Sequence, residues 1–252
     1  MITPLQSLVP FHGASMSTSR RDILQQLALG TLGLGALPSI AAATSNEGRT
    51  VAGGAAALEE LRATAIATPF DTSWTAKLTG KYRAVFDVPE IESGTGVWRA
   101  GLWSMHYTEV MQATPADLNA VIVIRHSAIP LIMSQEFWAE YGVGKASRVT
   151  HPMTEKKTAR NPVLMTVEAD GLAPMLGTLT LDRLQANGAI VLACHMAFGR
   201  MLGMVMQQDR STPQVAREKA MGMMLPGVIL QPNGIFGITL AQQNGCVFVN
   251  AV

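Results

Sequence analysis

The sequence predicts an α/β protein with a doubly wound, mainly parallel five-stranded sheet and helices on both faces, and three observations predict it. Apolar runs of strand length recur at Lys81–Val88, Ala120–His126, Ala189–Ala193, Gly227–Gln231 and Cys246–Asn250. Several of these runs are continuous rather than alternating, as in strands covered on both faces. Between consecutive runs lies at least one segment of helical length, which parallel strands need to cross over.

The first 43 residues read as an export signal. Ser19-Arg20-Arg21-Asp22-Ile23-Leu24 matches the twin-arginine pattern, Leu27 to Leu37 is a short apolar segment, and Ala41-Ala42-Ala43 supplies a small-residue cleavage site. The residues before Met16 do not resemble the start of such a signal, which leaves Met1 and Met16 as alternative starts. Residues 44–69 are rich in Ala, Gly and Thr and read as a flexible tether. The folded domain is expected over 70–252, and a twin-arginine signal implies a periplasmic location.

Lys81–Val88 is the first strand, closed by Pro89. Gly94–Gln112 follows as a helix whose large apolar residues, Trp98, Leu102, Trp103, Tyr107 and Val110 among them, ring the axis. Such a helix buries more than one face, against the sheet and against another subunit. Ala120–His126 is the second strand, and Pro130–Tyr141 the next helix, with Pro at its first turn and Gly142 or Gly144 as its stop. About residues 145–175 is a polar excursion of a length suited to a lid or a subunit contact. Thr178 or Thr180 caps a short helix through Gln185, and Gly188 returns the chain to the third strand. His195–Gln208, a segment from Thr212-Pro213 to about Met221, and Ile235–Gln243 supply the remaining helices.

The third strand ends at Cys194 and a helix begins at His195, so the thiol lies at a strand-to-helix turn, where open α/β sheets put their ligands. Amides at the helix start and the neighbouring His195 both favour thiolate, the reactive form. In a parallel sheet the carboxyl ends of neighbouring strands converge, which brings His126 toward Cys194 as a partner to polarise it. The alternative for Cys194 is a thiol that fills space. Cys246 begins its strand while Cys194 ends one, about 16 Å away along a five-residue strand. A disulfide requires Cα atoms within about 7 Å, so none is expected between them.

Without Arg20, Arg21 and Asp22 the 19 basic and 18 acidic residues become 17 and 17, and no basic stripe marks a nucleic-acid partner. No apolar run after the signal reaches the roughly 20 residues of a membrane span. The chain has no phosphate-binding glycine loop, no Gly-x-Ser-x-Gly and no Cys-x-x-Cys, so it offers no motif for a bound cofactor, a serine nucleophile or dithiol exchange. No ligand set for a metal is apparent either. Methionines cluster after Cys194, and Met196, Met201, Met204 and Met206 read as core filler or, with a thiolate, as a copper(I) site.

From Tyr82–Val88 through Val121-Ile-Val-Ile-Arg-His-Ser-Ala128 to Gly188–Cys194, Gly227–Ile235 and Gln243–Val249, the chain resembles the DsrE-like family of small α/β proteins. The family often has His-Gly-x-Ala where this chain has His-Ser-Ala. The resemblance implies a persulfide carried on Cys194, a homo-oligomer of three or six chains, and a sulfur donor or acceptor protein as partner. The competing expectation is a non-catalytic module that binds a small ligand or metal in the same crevice. Family members of the sulfur relay work in the cytoplasm, whereas this chain carries an export signal. Replacing Arg20 and Arg21 with Lys is expected to retain the precursor in the cytoplasm, read by fractionation; undiminished periplasmic protein would remove the expected location.

Overall fold

The computed structural model describes residues 70–252 and positions 56, 57, 59, 60 and 63 before them, all within the unit Ser45–Val252. The expected signal and most of the tether lie outside the described residues. Five strands, β1 (Tyr82–Val88), β2 (Leu118–Ile124), β3 (Ile190–Cys194), β4 (Ile229–Gln231) and β5 (Val247–Asn250), form one sheet in the order β4-β3-β2-β1-β5. Every neighbouring pair is parallel. The principal helices are α1 (Thr95–Met111), α2 (Gln135–Glu140), α3 (Leu181–Ala186), α4 (His195–Asp209), α5 (Pro213–Gly222) and α6 (Gly234–Gln243).

The order of strands dictates which face each helix covers. From β1 to β4 the chain steps in one direction, then returns across the sheet to β5. Right-handed crossovers put the connections of the outward steps on one face and the return helix on the other. The core divides accordingly. Phe86, Val88, Ile122, Ile124, Val191 and Ala193 face the layer containing Val97, Ala100, Phe198, Met201, Leu202 and Val205. Val85, Val121, Val123, Ile190 and Leu192 point the other way, onto Ile238 and Ala241 of α6 and onto Trp74 and Leu78. At Gly237 a Cβ would stand 3.2 Å from Leu192 Cδ1, so the missing side chain lets α6 lie close to the sheet.

Two elements depart from the sequence expectation. β2 stops at Ile124, not His126, because the chain turns there: Ala128 N–H donates to Arg125 O and to Pro89 O, each at 3.0 Å. His126 opens a 3-10 run, His126–Ile132, with φ at 50°. The expected helix over Pro130–Tyr141 is broken, since Ser134 N–H donates to Met223 O and Leu225 N–H to Ile132 O, which draws Met133 out into an extended bridge with Met224. Ser134 then caps α2 through Phe137 N–H. The excursion is tied down rather than loose. Fully buried Asn161 donates to Leu131 O at 3.0 Å and Met133 O at 2.8 Å, and Val163 and Met165 beside it are buried.

α1 buries its first half, from Gly96 to Gly101, while Trp103 and Tyr107 continue as a half-buried aromatic stack with Tyr82. Val110 and Met111 at its far end are exposed. Its entry is tight: a Cβ on Gly96 would meet Ala251 O at 2.7 Å and Val88 Cγ1 at 2.8 Å. Gly96→Ala is therefore expected to cost about 1–3 kcal/mol by overpacking. Gly203→Ala in α4, where a Cβ meets nothing within 4 Å, is expected to be neutral or to stabilise by up to about 1 kcal/mol. Chemical denaturation of the two variants checks the contrast, and equal stabilities would contradict the packing at Gly96.

Candidate active site at the carboxyl edge of the sheet

Strand alternation puts four polar residues in a row on one face at the carboxyl ends of the strands. Asp87, Arg125, Cys194 and Gln231 follow Val85, Val123, Leu192 and Ile229, all of which point toward the α6 layer. Register aligns them across the sheet. Asp87 precedes the Val88–Ile124 pair, Arg125 and Cys194 follow the Ile124–Ala193 pair, and Cys194 pairs with Gln231.

Arg125 binds Asp87 through two hydrogen bonds, Nε to Oδ1 at 2.7 Å and Nη2 to Oδ2 at 2.8 Å. The Asp87 carboxylate raises the Arg125 pKa above its ordinary value, and Cys194 is also among the groups whose charge acts on this guanidinium. The Arg125 stem lies against the start of α6, because a Cβ on Gly234 would fall 2.5 Å from Arg125 Cδ. A cation with a fixed orientation thus stands on the strand next to the thiol.

Cys194 is the N-cap of α4, and its sulfur accepts the Ala197 N–H at 3.3 Å. Sulfur here does the work that Ser or Asp oxygen does at most helix starts. Cys194 as a whole is 7% exposed. His195 turns inward against Phe70, ring centroids 5.3 Å apart, and burial together with Arg217 lowers its pKa. Near neutral pH it is therefore an uncharged wall, and the positive charge beside the thiol comes from Arg125 rather than from His195.

His126 stands one residue past Arg125 on the left-handed turn, with its ring largely exposed. Its Nδ1 lies 3.4 Å from Glu90 Oε1, and Ser127 Oγ donates to the other oxygen of that carboxylate. Arg200 of α4 reaches the His126 carbonyl at 3.5 Å. Among the described residues no hydrogen bond joins His126 to Cys194. The two stand at adjacent strand ends, with His126 at the outer rim and Cys194 beneath.

Gln231 completes the row and is fully buried. Both amide hydrogens are used, by Asp71 O at 2.7 Å and Leu230 O at 3.0 Å, while Oε1 has no partner among the described residues. A buried acceptor without a donor is costly and marks a place where a donor belongs. Cys246 lies one residue before β5 rather than opening it, is free and buried, and burial pushes its thiol pKa up. Met201 is buried in the layer beneath α4, Met204 and Met206 are half-buried against it, and Met196 is exposed. Among the described residues no three His, Cys, Asp or Glu side chains are grouped to hold a metal, and no helix is long and apolar enough to cross a membrane.

Sequence reasoning identified Cys194, His195 and His126 but passed over Asp87, Arg125 and Gln231. The signal was present. A carboxylate inside the apolar run Val85-Phe86-Asp87-Val88 and a guanidinium closing Val121–Ile124 need partners if buried, and each is the other's natural partner.

Comparison of the chain with family models, curated proteins and solved structures finds no match among any of them.

The lowered pKa of His195 has a sign that can be measured. The folded protein holds this imidazole below its ordinary value of 6.5, so in acid the unfolded chain binds a proton that the fold resists. Its effect on stability is nil above about pH 6.5 and grows unfavourable as pH falls toward the folded value. His195→Gln is expected to flatten the loss of stability between pH 7.5 and pH 5.5 in urea unfolding. A ring proton of His195 titrating at an ordinary value by NMR would contradict this.

Proposed function

We propose that the protein is an exported, DsrE-like sulfur carrier in which Cys194 accepts sulfur as a persulfide. The observation that supports this reading is the setting of the Cys194 sulfur: it caps α4 through the Ala197 N–H, beside the Arg125 cation that Asp87 holds in place. An amide donor on the sulfur and a cation on the neighbouring strand are features that a sulfur carrier would use at that point. In the proposed step the Cys194 thiolate attacks the outer sulfur of a donor persulfide, R–S–S–H. The donor's S–S bond breaks, its inner sulfur leaves with the electron pair and takes up a proton, and Cys194 retains the transferred sulfur. No net oxidation occurs. His126 at the rim, exposed and paired with Glu90, is suited to hand the leaving thiolate its proton. His195 excludes water from beneath.

Assembly as a homotrimer or hexamer belongs to the same proposal, supported by the exposed apolar residues Val110 and Met111 on α1 and Val247 and Phe248 on β5. The burial of Cys194 and the unpartnered Gln231 Oε1 favour a second reading, in which the crevice holds a small ligand and the thiol only lines it.

Native mass spectrometry separates the two. Incubation with a low-molecular-weight persulfide is expected to add about 32 Da per sulfur atom at Cys194 and nothing at Cys246, in particles of three or six chains. Cys194→Ser should fold and lose the gain entirely, and His126→Ala should slow it without preventing it. Equal modification of both cysteines, or a gain that survives in Cys194→Ser, would leave only the ligand-binding reading.

A further inference from the structure

The sheet has two edges, and they are finished differently. β4, at one edge, is three residues long, lies between Pro226 and Pro232, and has its Gln231 amide tied to Asp71 O. Short strands and prolines are ordinary means of keeping an edge from pairing with another chain. β5, at the other edge, is not protected in this way. Residues 244–252 include no proline and no charged side chain, and Val247 and Phe248 are exposed.

The ladder with β1 fixes which backbone groups of β5 remain open. Ala251 N–H donates to Asp87 O at 3.0 Å, and Asn250 pairs with Asp87 in register. Alternation along a parallel strand then turns the backbone groups of Val247, Val249 and Ala251 toward β1 and those of Phe248 and Asn250 away from it. Among the described residues, the outward N–H and C=O groups of Phe248 and Asn250 have no partner.

A second copy of the same strand satisfies all of them at once. Antiparallel pairing centred on Val249 sets Phe248 against the second copy's Asn250 and Asn250 against its Phe248, each pair exchanging both N–H···O bonds. Val249 then meets its own counterpart in the closer, non-hydrogen-bonded kind of pair, apolar side chain on apolar side chain. Charge complementarity holds in its neutral form: the segment carries no charged side chain, so no like charges oppose each other. We propose that β5 is a two-fold interface between copies of this chain, which joins two five-stranded sheets into one continuous sheet. A two-fold contact requires an even number of chains, a dimer from this interface alone or a hexamer where three-fold contacts also form. The interface goes beyond the sulfur-carrier reading and does not rest on it, because no residue of the Cys194 crevice takes part.

Light scattering on the full chain under reducing conditions is expected to give an even number of chains at micromolar concentration. Phe248→Lys, which sets like charges across the two-fold axis, is expected to halve the particle mass. Asn250→Pro is expected to do the same, since it removes an outward N–H that the fold itself does not use, and it serves if the lysine variant does not fold. Cysteine cross-linking reads the register. Val249→Cys, with the two Cβ atoms about 4.5 Å apart, is expected to give a disulfide-linked pair on mild oxidation, located by peptide mass. Val247→Cys, about 13 Å from its counterpart, is not. A monomer, which would leave the edge to a strand of another protein, would overturn the inference. So would a three-chain particle, unchanged mass in the variant that folds, or equal cross-linking at 247 and 249.

Discussion

A guanidinium cannot close a buried strand without an opposing charge, and Asp87 supplies it from the neighbouring strand. That pairing is the interaction on which the carboxyl edge depends. It fixes the guanidinium between β1 and β2, and Gly234 lets the start of α6 come down onto its stem. Replacing Asp87 with an apolar residue would strand the cation under α6, so the pair couples packing and electrostatics at one point.

The same edge carries two different kinds of polar provision. At the ends of β2, β3 and β4 the groups are a cation, a sulfur that caps a helix and a buried amide oxygen. Beyond β1 the groups are the Ser93–Thr150 hydroxyl pair and the exposed carboxylates of Glu92 and Glu155. The reversal of strand order separates them, since β2 and β3 belong to the outward run while β1 stands at the turning point. A hollow of about 390 Å³ lies at the opposite edge between α1 and Leu118, Gly188 and Ala189. It shares nothing with either group.

Legibility from sequence followed how local each determinant was. Strand β3, Cys194 and α4 were readable because a continuous apolar run passes directly into a helical segment, with no distant partner required. The end of β2 was not, since it depends on Pro89 O standing ready to accept from Ala128, a contact 39 residues apart in sequence. The broken helix after Pro130 has the same cause: Met223 and Leu225 pull its middle into an extended bridge, and no local preference announces them. Of the candidate site, the thiol and both imidazoles could be named from position alone. Which of them carries charge could not, because burial of His195 and the pairing of Arg125 are properties of the assembled layers.

The two sheet faces are unequally covered, and this bears on the timing of folding. One face is enclosed by α1, α4 and the segments between them, but the other is enclosed chiefly by α6, and the first strand to be made waits for β5, the last, as its neighbour. A growing chain can therefore assemble one layer early, yet Val85, Val121, Val123 and Leu192 stay open to solvent until residues 234–250 have emerged. Closure is a late, long-range event, and contacts of that separation slow folding. A chain interrupted before α6 would be a half-covered sheet with its apolar side outward, a form that chaperones bind and proteases clear.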